Sequence, residues 1–387
     1  MTLTLQAPPV HRSPPAAGLR VAQVTEYYYP HLGGVCEHAH FLADECRRRG
    51  MHVDIITPRI GRTVPLPGVI HVGHSLPVPS NGSHARLSVG WRLRDRLRHV
   101  LREGRYDVVH VHAPLTPSLP LLALERGNAA LVGTWHTQFS GSLLLELFRD
   151  RLQSRIDRLD GTIAVSETAR AAISRYFEAP WRVVPNGVNT TLYRPGRPMP
   201  EEMAHGAPTL LFVGRLDPRN GLSTLLEAWP IVQAAVRHAR LVIVGDGPLR
   251  GHYERQARAL SGVVFRGALG DERADYYSNA SAYVCPTTRA SFGITLLEAM
   301  ASGRPILCSD IPGFRDVVAN GREALMVPPE DPRALAQGAI TLLRDAALRD
   351  ELGATGLQRS ARYDWVHVTD EIVDVYASAL AARRAAG

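Results

Sequence analysis

Strand-like and helix-like stretches alternate along this chain twice over, and a proline-rich break separates the two runs. Apolar segments at 19–25, 52–57, 107–112, 130–136 and 161–166 read as strands, with helical stretches between them. Residues 194–208 then hold four prolines and two glycines and show no apolar periodicity. The alternation restarts with strands at 209–215, 239–244, 263–265, 282–285 and 305–309 and a helix over 222–235. Parallel strands need long crossovers, so this pattern predicts parallel sheets wound on both faces by helices. Two such runs predict an α/β protein of two Rossmann-like, doubly wound domains facing a central cleft, with ligands at the carboxyl ends of both sheets. The expected boundaries are a disordered tail over 1–18, a first domain over 19–196 and a second over 197–365. A last helix, over 366–387, is expected to cross back onto the first domain.

Composition narrows the partners. The chain of 387 residues is 45% hydrophobic, enough for ample cores, and no apolar run is long enough to span a bilayer. The first eighteen residues lack the apolar core of a signal peptide, which predicts a cytoplasmic protein. Cys36, Cys46, Cys285 and Cys308 show no CxxC spacing and read as buried thiols, neither disulfides nor metal ligands. Formal charge is +7, and every one of the 44 basic residues is Arg. Any phosphate must then be met by guanidinium, His or backbone N–H. The excess suits anionic small molecules or an anionic membrane surface. No recognition-helix, RRM or zinc-finger pattern points to nucleic acid.

Residues 287–300, Thr-Thr-Arg-Ala-Ser-Phe-Gly-Ile-Thr-Leu-Leu-Glu-Ala-Met, carry the clearest chemistry. A strand runs into a turn, and Gly293 opens a helix with Leu296, Leu297 and Met300 on its inner face. Unpaired N–H groups and the helix dipole make such a turn an anion site. Glu298, on the second turn, is badly placed for phosphate and well placed for sugar hydroxyls. The stretch reads as a nucleotide-diphosphate site with Glu298 on the ribose; it also fits an ordinary strand–turn–helix with Glu298 on a solvated face. Leu-Gly-Gly-Val at 32–35 precedes another helix, but it is not GxGxxG and argues against an NAD site.

Several motifs, in this order, resemble retaining glycosyltransferases of the GT-B fold, family four. They are Gly-Gly-Val (33–35), Trp-His-Thr (135–137), Pro-Asn-Gly-Val (185–188), Phe-Val-Gly-Arg-Leu-Asp-Pro-Arg-Asn-Gly (212–221), Val-Gly-Asp-Gly-Pro-Leu (244–249) and Ser-Phe-Gly-Ile-Thr-Leu-Leu-Glu-Ala-Met-Ala (291–301). Within that family the chain is most similar to the phosphatidyl-myo-inositol mannosyltransferases. Pro-Val-Pro-Ser-Asn-Gly-Ser-His-Ala-Arg-Leu (77–87), Pro-Ser-Leu (117–119) and Tyr-Asp-Trp (363–365) carry that finer likeness.

The resemblance implies transfer of a hexose from a nucleotide-diphosphate sugar, GDP-mannose being the expected donor, to a lipid-linked or polyol acceptor, with no cofactor. It places His136, Arg215 and Glu298 in catalysis. Donor contacts would come from Gly33, Gly34, Gly214, Arg215, Leu269, Ser291, Phe292, Gly293, Ile294 and Glu298, and acceptor contacts from Tyr27, Asn81, Ser83, Arg86 and Thr137. No Asp-x-Asp motif occurs, so no metal is expected, and Arg215 is the expected cation for the leaving diphosphate. An ion pair of Arg215 with Asp217, or a strand-capping role for His136, fits the same residues.

Two positions depart from the family pattern. Asn220 stands where a Lys is usual and Ala290 where a Glu is usual; Arg219 and Arg289 are the neighbouring cations that could compensate. On the acceptor side, Cys36 replaces Gln, Ser80 replaces Tyr, and 138–141 lacks a basic residue, which leaves the acceptor open. The alternatives are a sugar-nucleotide-binding protein of little or no activity on the same fold, or a transferase with another donor and a soluble acceptor. Residues 91–102 form a basic amphipathic helix that could lie on an anionic bilayer at the inner membrane face, or dock its leucines on the sheet.

Overall fold

The computed structural model describes residues 17–30, 33–61, 65–80, 83–125, 127–137, 141 and 143–385, with the side chains of 78–80, 83–85 and 144 set aside. The first sheet comprises β1 (Arg20–Val24), β2 (His52–Arg59), β3 (Val69–Ser80), β4 (Ser83–Val89), β5 (Val108–His112), β6 (Ala130–Trp135), β7 (Gly161–Ala164) and β8 (Arg182–Val183). Their order is β4-β3-β2-β1-β5-β6-β7-β8. The second comprises β9 (Thr209–Val213), β10 (Arg240–Val244), β11 (Val263–Gly267), β12 (Ala282–Cys285), β13 (Ile306–Ser309) and β14 (Ala324–Val327), in the order β11-β10-β9-β12-β13-β14. All pairings are parallel except β3 with β4. Central strands β5, β6 and β9 are buried along their whole length, as sheets covered on both faces require.

The sequence reading missed the β3–β4 hairpin. Its prolines, Pro77 and Pro79, argue against a strand. They are tolerated because β3 pairs with β2 only as far as His74 and beyond that only with β4, so one side of the ribbon has no ladder to break.

The helix Trp365–Ala385 lies on the first sheet. Trp365, Val368, Ile372, Tyr376 and Ala379 share one core with Val21, Ile55, Val108 and Val132. Asp364 caps it, accepting from Val366 N at 2.9 Å, and Arg49 reaches Asp370 at 2.6 Å. All four cysteines are buried, and burial pushes the Cys36 and Cys46 thiols up. Among the described residues no helix is long and apolar enough to cross a membrane.

The basic helix begins at Leu93 and ends at Glu103, after Arg92 in the left-handed region at φ 54°. Leu97 is fully inside, with Leu93, Val100 and Leu101 packed around the same core. Its apolar face is therefore docked on the sheet and is not available to a bilayer. Arg94 and Arg98 turn to Glu125, and Arg92 to Asp95. What remains outward is Trp91, 84% exposed, with Arg96, His99 and Arg102.

Candidate active site

The two sheets face each other across a cavity of about 550 Å³. From the first domain Gly33, Gly34, Glu37, Pro77 and Arg86 line it; the second contributes the ends of β9 and β10, Leu269, Arg273 and the helix Ile294–Ala301 through Ile294, Thr295 and Glu298. The walls meet closely: a Cβ on Gly34 would stand 2.9 Å from Ile294 Cδ1. At the cavity floor Gly245 has φ 149°, and a Cβ there would fall 1.9 Å from the carbonyl of Gly214, so the β9 and β10 ends can approach only as glycine. The helix Gly34–Arg48 and the helix Ile294–Ala301 begin at the cavity, so their free N–H groups converge on one space.

Arg215 lines this space and is 35% exposed in its side chain. Its Nε lies 3.8 Å from Asp217 Oδ2, beyond hydrogen-bonding distance, and Nε and both Asp217 oxygens are buried without a hydrogen bond. The Asp217 contact therefore leaves the guanidinium available to the cavity. Asn220 is turned away: its Nδ2 donates to the Arg215 carbonyl at 2.8 Å. Ala290 packs against the second core. Neither Arg219 nor Arg289 lines the cavity, so neither compensates for these departures there.

Arg273 does line the cavity, and sequence reasoning missed it. Its Nη2 donates to Glu37 Oε1 at 2.6 Å and to Glu298 Oε1 at 2.9 Å, joining the domains across the cleft. Burial opposes its charge, but the Glu298 and Glu37 carboxylates outweigh that and hold its pKa above the usual value. Glu298 is only 2% exposed, not on the solvated face that the sequence allowed. Burial pushes the Glu37 carboxyl up to about 7, against the pull of Arg273. The available signal was slight: an acid one turn into the Gly-Gly helix and an Arg four residues past Leu269.

His136 stands at the end of β6 and belongs to a buried cluster. His112 Nδ1 lies 3.2 Å from His136 Nε2, His38 Nδ1 lies 2.8 Å from Asn186 Oδ1, and His110 bridges Tyr376 and Thr134 at 2.8 and 2.6 Å. Gln23, with its amide turned to satisfy its neighbours, donates to His112 Nε2 at 3.1 Å and to the Ala39 carbonyl at 3.1 Å. That assignment makes His112 Nδ1–H the donor to His136 Nε2 and leaves the His136 proton on Nδ1. Burial lowers all four imidazoles, His38 to about 4 and His110 to about 3, so the cluster is neutral near pH 7. His38, His112 and His136 also bring one ring nitrogen each within 4.8 Å of one another. The sequence reading expected no metal and did not see this triplet; here His112 and His136 already bond each other.

Other candidates fall elsewhere. Ser291 Oγ donates to the His136 carbonyl at 2.5 Å, so its hydroxyl is engaged in the domain contact and does not line the cavity. Phe292 is 7% exposed within the second core, edge-on to Tyr363. Gly293 precedes the helix as its cap, and Thr137 is exposed; neither lines the cavity. Gly33, Gly34, Gly214, Arg215, Leu269, Ile294 and Glu298 do. On the acceptor side, Arg86 lines the cavity, bonds Ser75 Oγ at 2.8 Å and presents its N–H to the Tyr27 hydroxyl at 3.3 Å. Asn81 and the side chain of Ser83 lie outside the described residues.

Comparison with known proteins agrees with this geometry. Residues 32–192 match the family model described as Glycosyltransferase Family 4, and residues 207–345 that described as Glycosyl transferases group 1. A phosphatidyl-myo-inositol mannosyltransferase of Mycobacterium leprae is 36% identical over 92% of this chain and 96% of its own. A D-inositol 3-phosphate glycosyltransferase of Streptosporangium roseum is 30% identical over 86% of this chain and 85% of its own. The solved sucrose-phosphate synthase of Thermosynechococcus elongatus superposes with a TM-score of 0.74 at 23% identity, covering 94% of this chain and 100% of that one, which speaks to fold alone. With two doubly wound sheets around one cleft and likeness along nearly its whole length, the chain belongs to the family 4, group 1 glycosyltransferases of GT-B fold.

Proposed function

We propose that this chain transfers mannose from GDP-mannose to a lipid-linked or polyol acceptor of the phosphatidylinositol type, with retention and without a metal ion. The observation that carries this reading is the convergence of two helix N-termini and Arg215 on one cavity. When the glycosidic C–O bond breaks, negative charge grows on the departing diphosphate. Fixed N–H groups and a guanidinium stabilise that charge more than they stabilise the intact donor. The acceptor hydroxyl attacks from the face the diphosphate leaves and passes its proton to a diphosphate oxygen. Neutral His136, at the end of β6 behind the cavity lining, is the residue that the family resemblance sets against the transferred sugar. The acceptor approaches past Arg86 and Tyr27, and the names of the mannosyltransferase relatives favour a phosphatidylinositol head group. Exposed Trp91, Arg96 and Arg102 would rest on an anionic inner membrane face.

A second reading, a sugar-nucleotide-binding protein that turns over poorly, is favoured by Asn220 and Ala290, neither of which reaches the cavity. One experiment separates the two. Purified protein is incubated with GDP-mannose and phosphatidylinositol vesicles or inositol phosphate, products are read by mass spectrometry, and nucleotide binding is read by thermal shift. A mannosylated product with the α-anomer retained supports the transferase. A raised melting point with no product from any nucleotide sugar supports the binding protein.

A further inference from the structure

His38, His112 and His136 come from three separate parts of the first domain: the helix Gly34–Arg48, the end of β5 and the end of β6. One ring nitrogen of each lies within 4.8 Å of the other two, and none of the three lines the donor cavity. Each ring also meets a carboxamide. His38 Nδ1 stands 2.8 Å from Asn186 Oδ1, Asn186 bonds the His136 ring as well, and His112 Nε2 stands 3.1 Å from the Gln23 amide. Imidazoles that hold a metal commonly give their other N–H to a carbonyl, which fixes the ring and its tautomer.

One nitrogen is left over. His38 gives its Nδ1 proton to Asn186, so Nε2 carries the lone pair, and that atom is buried with no partner. An acceptor enclosed without a donor is costly. The His136 Nε2 lone pair is met by His112 Nδ1–H at 3.2 Å. Two nitrogens about 2.0–2.1 Å from a tetrahedral zinc ion stand about 3.3 Å apart, so this spacing suits an ion as well as a proton. Only His112 carries its proton on the wrong side. Turning the Gln23 amide over corrects that: Oε1 then accepts from His112 Nε2–H at the same 3.1 Å, and Nδ1 becomes a ligand. The reversal withdraws Gln23 from the Ala39 carbonyl and the Ala43 N–H, which are partners in one helical turn and stay satisfied.

We propose that His38, His112 and His136 form a three-imidazole site for one Zn²⁺ ion, with Gln23 as the residue that sets His112 to ligate. His38 swings inward to close the triangle. Nitrogen donors favour zinc over magnesium or calcium, which take oxygen. His136 is half-buried while the other two rings are inside, so the ion enters on its side and keeps a water there. The ion lies behind the cavity lining and takes no part in sugar transfer, and its binding is read without any substrate.

The test is calorimetric titration of Zn²⁺ into the chelator-stripped full-length protein, with Co²⁺ as the visible-absorption probe and the melting point of each variant measured first. Wild type is expected to take up one ion per chain at micromolar concentration and to give the intense Co²⁺ band of a four-coordinate site. Gln23→Leu should weaken Zn²⁺ about tenfold or more, the scale of losing the outer partner of a ligand. Gln23→Glu should tighten it, because a carboxylate only accepts and holds the proton on His112 Nε2. His38→Ala and His112→Ala should cost more than Gln23→Leu. Where an alanine variant does not fold, the Gln23 pair and the wild-type Co²⁺ spectrum decide. No uptake by wild type, or a weak six-coordinate Co²⁺ spectrum, would overturn the site. So would equal affinity in all folded variants, which would assign the ion to surface histidines.

Discussion

Ser291 reaches across the cleft to His136: its hydroxyl donates to the His136 carbonyl at 2.5 Å, and its own carbonyl accepts from Ser166 Oγ at 2.5 Å. The loop that leads into the Ile294–Ala301 helix is thus pinned to the ends of β6 and β7. Ser291→Ala removes the His136 bond and leaves the fold in place. Steady-state kinetics should show kcat lower by about tenfold, on the scale of a lost hydrogen bond to a positioned group, with donor KM changed less. Unchanged kcat would mean that this contact does not position His136.

Arg215→Ala should lower kcat by about 10²-fold or more, the loss typical of removing one stabiliser of developing charge. Arg215→Lys should recover part of it. Wild-type turnover in the alanine variant would remove Arg215 from the leaving-group site.

Stability should rise with pH between about 4.5 and 6.5. The buried histidines His38, His110, His112 and His136 have lowered folded pKa values, so the unfolded chain binds more protons there and burial stabilises only as pH climbs through the ordinary value of 6.5. Glu26 and Glu37, raised to about 7 by burial, act oppositely: their contribution is present below 4.5 and lost as pH rises through 7. With His40 and His71 also lowered and Glu371 also raised by burial, the lowered imidazoles outnumber the raised carboxyls, so the net slope is positive. Urea unfolding at three pH values checks the slope, and a flat profile would contradict neutral burial of the cluster.

Asn220→Lys is expected to lower activity, not to restore a family feature. Its amide holds the Arg215 carbonyl at 2.8 Å, and the substitution frees that carbonyl. Kinetics of this variant alone and with Ala290→Glu decide. Activity with GDP-mannose that appears only in the double variant would favour the binding-protein reading.

Vesicle binding should need anionic lipid and weaken with salt. Arg94 and Arg98 are engaged with Glu125, so Trp91→Ala with Arg96→Gln and Arg102→Gln is the change expected to reduce it in sedimentation assays. Salt-insensitive binding to neutral vesicles would contradict the electrostatic account.

Much of the fold was legible because buried parallel strands such as Thr209–Val213 and Ala130–Trp135 are short, mostly apolar runs bounded by turn signals. The β3–β4 hairpin was not, because Pro77 and Pro79 are allowed only by the local absence of a second ladder. At the site, Gly34 was readable: a Cβ there would crowd Ile294 Cδ1, so the position serves the close approach of the two walls. The side chains of Ser291 and Phe292 lie off the cavity lining because motif residues adjacent in sequence point to different places around a turn. Glu37, Arg273 and the His38–His112 contact escaped notice because each depends on partners far along the chain, 236 residues apart for Glu37 and Arg273. His110 and His112 did carry a signal: two polar residues on one face of a buried strand need partners.

The helix Trp365–Ala385 gives the enzyme an order of assembly. It is synthesised after the whole second sheet, yet it supplies Tyr376 to His110 and packs Trp365 against His38. A chain still emerging from the ribosome can complete β9 to β14 before the face of the first sheet that Trp365–Ala385 covers is buried. The histidine cluster stays wet and chargeable until the last segment docks. Truncation before Trp365 would uncover one face of the first sheet and the histidine cluster beside it, while the opposite face keeps its own core.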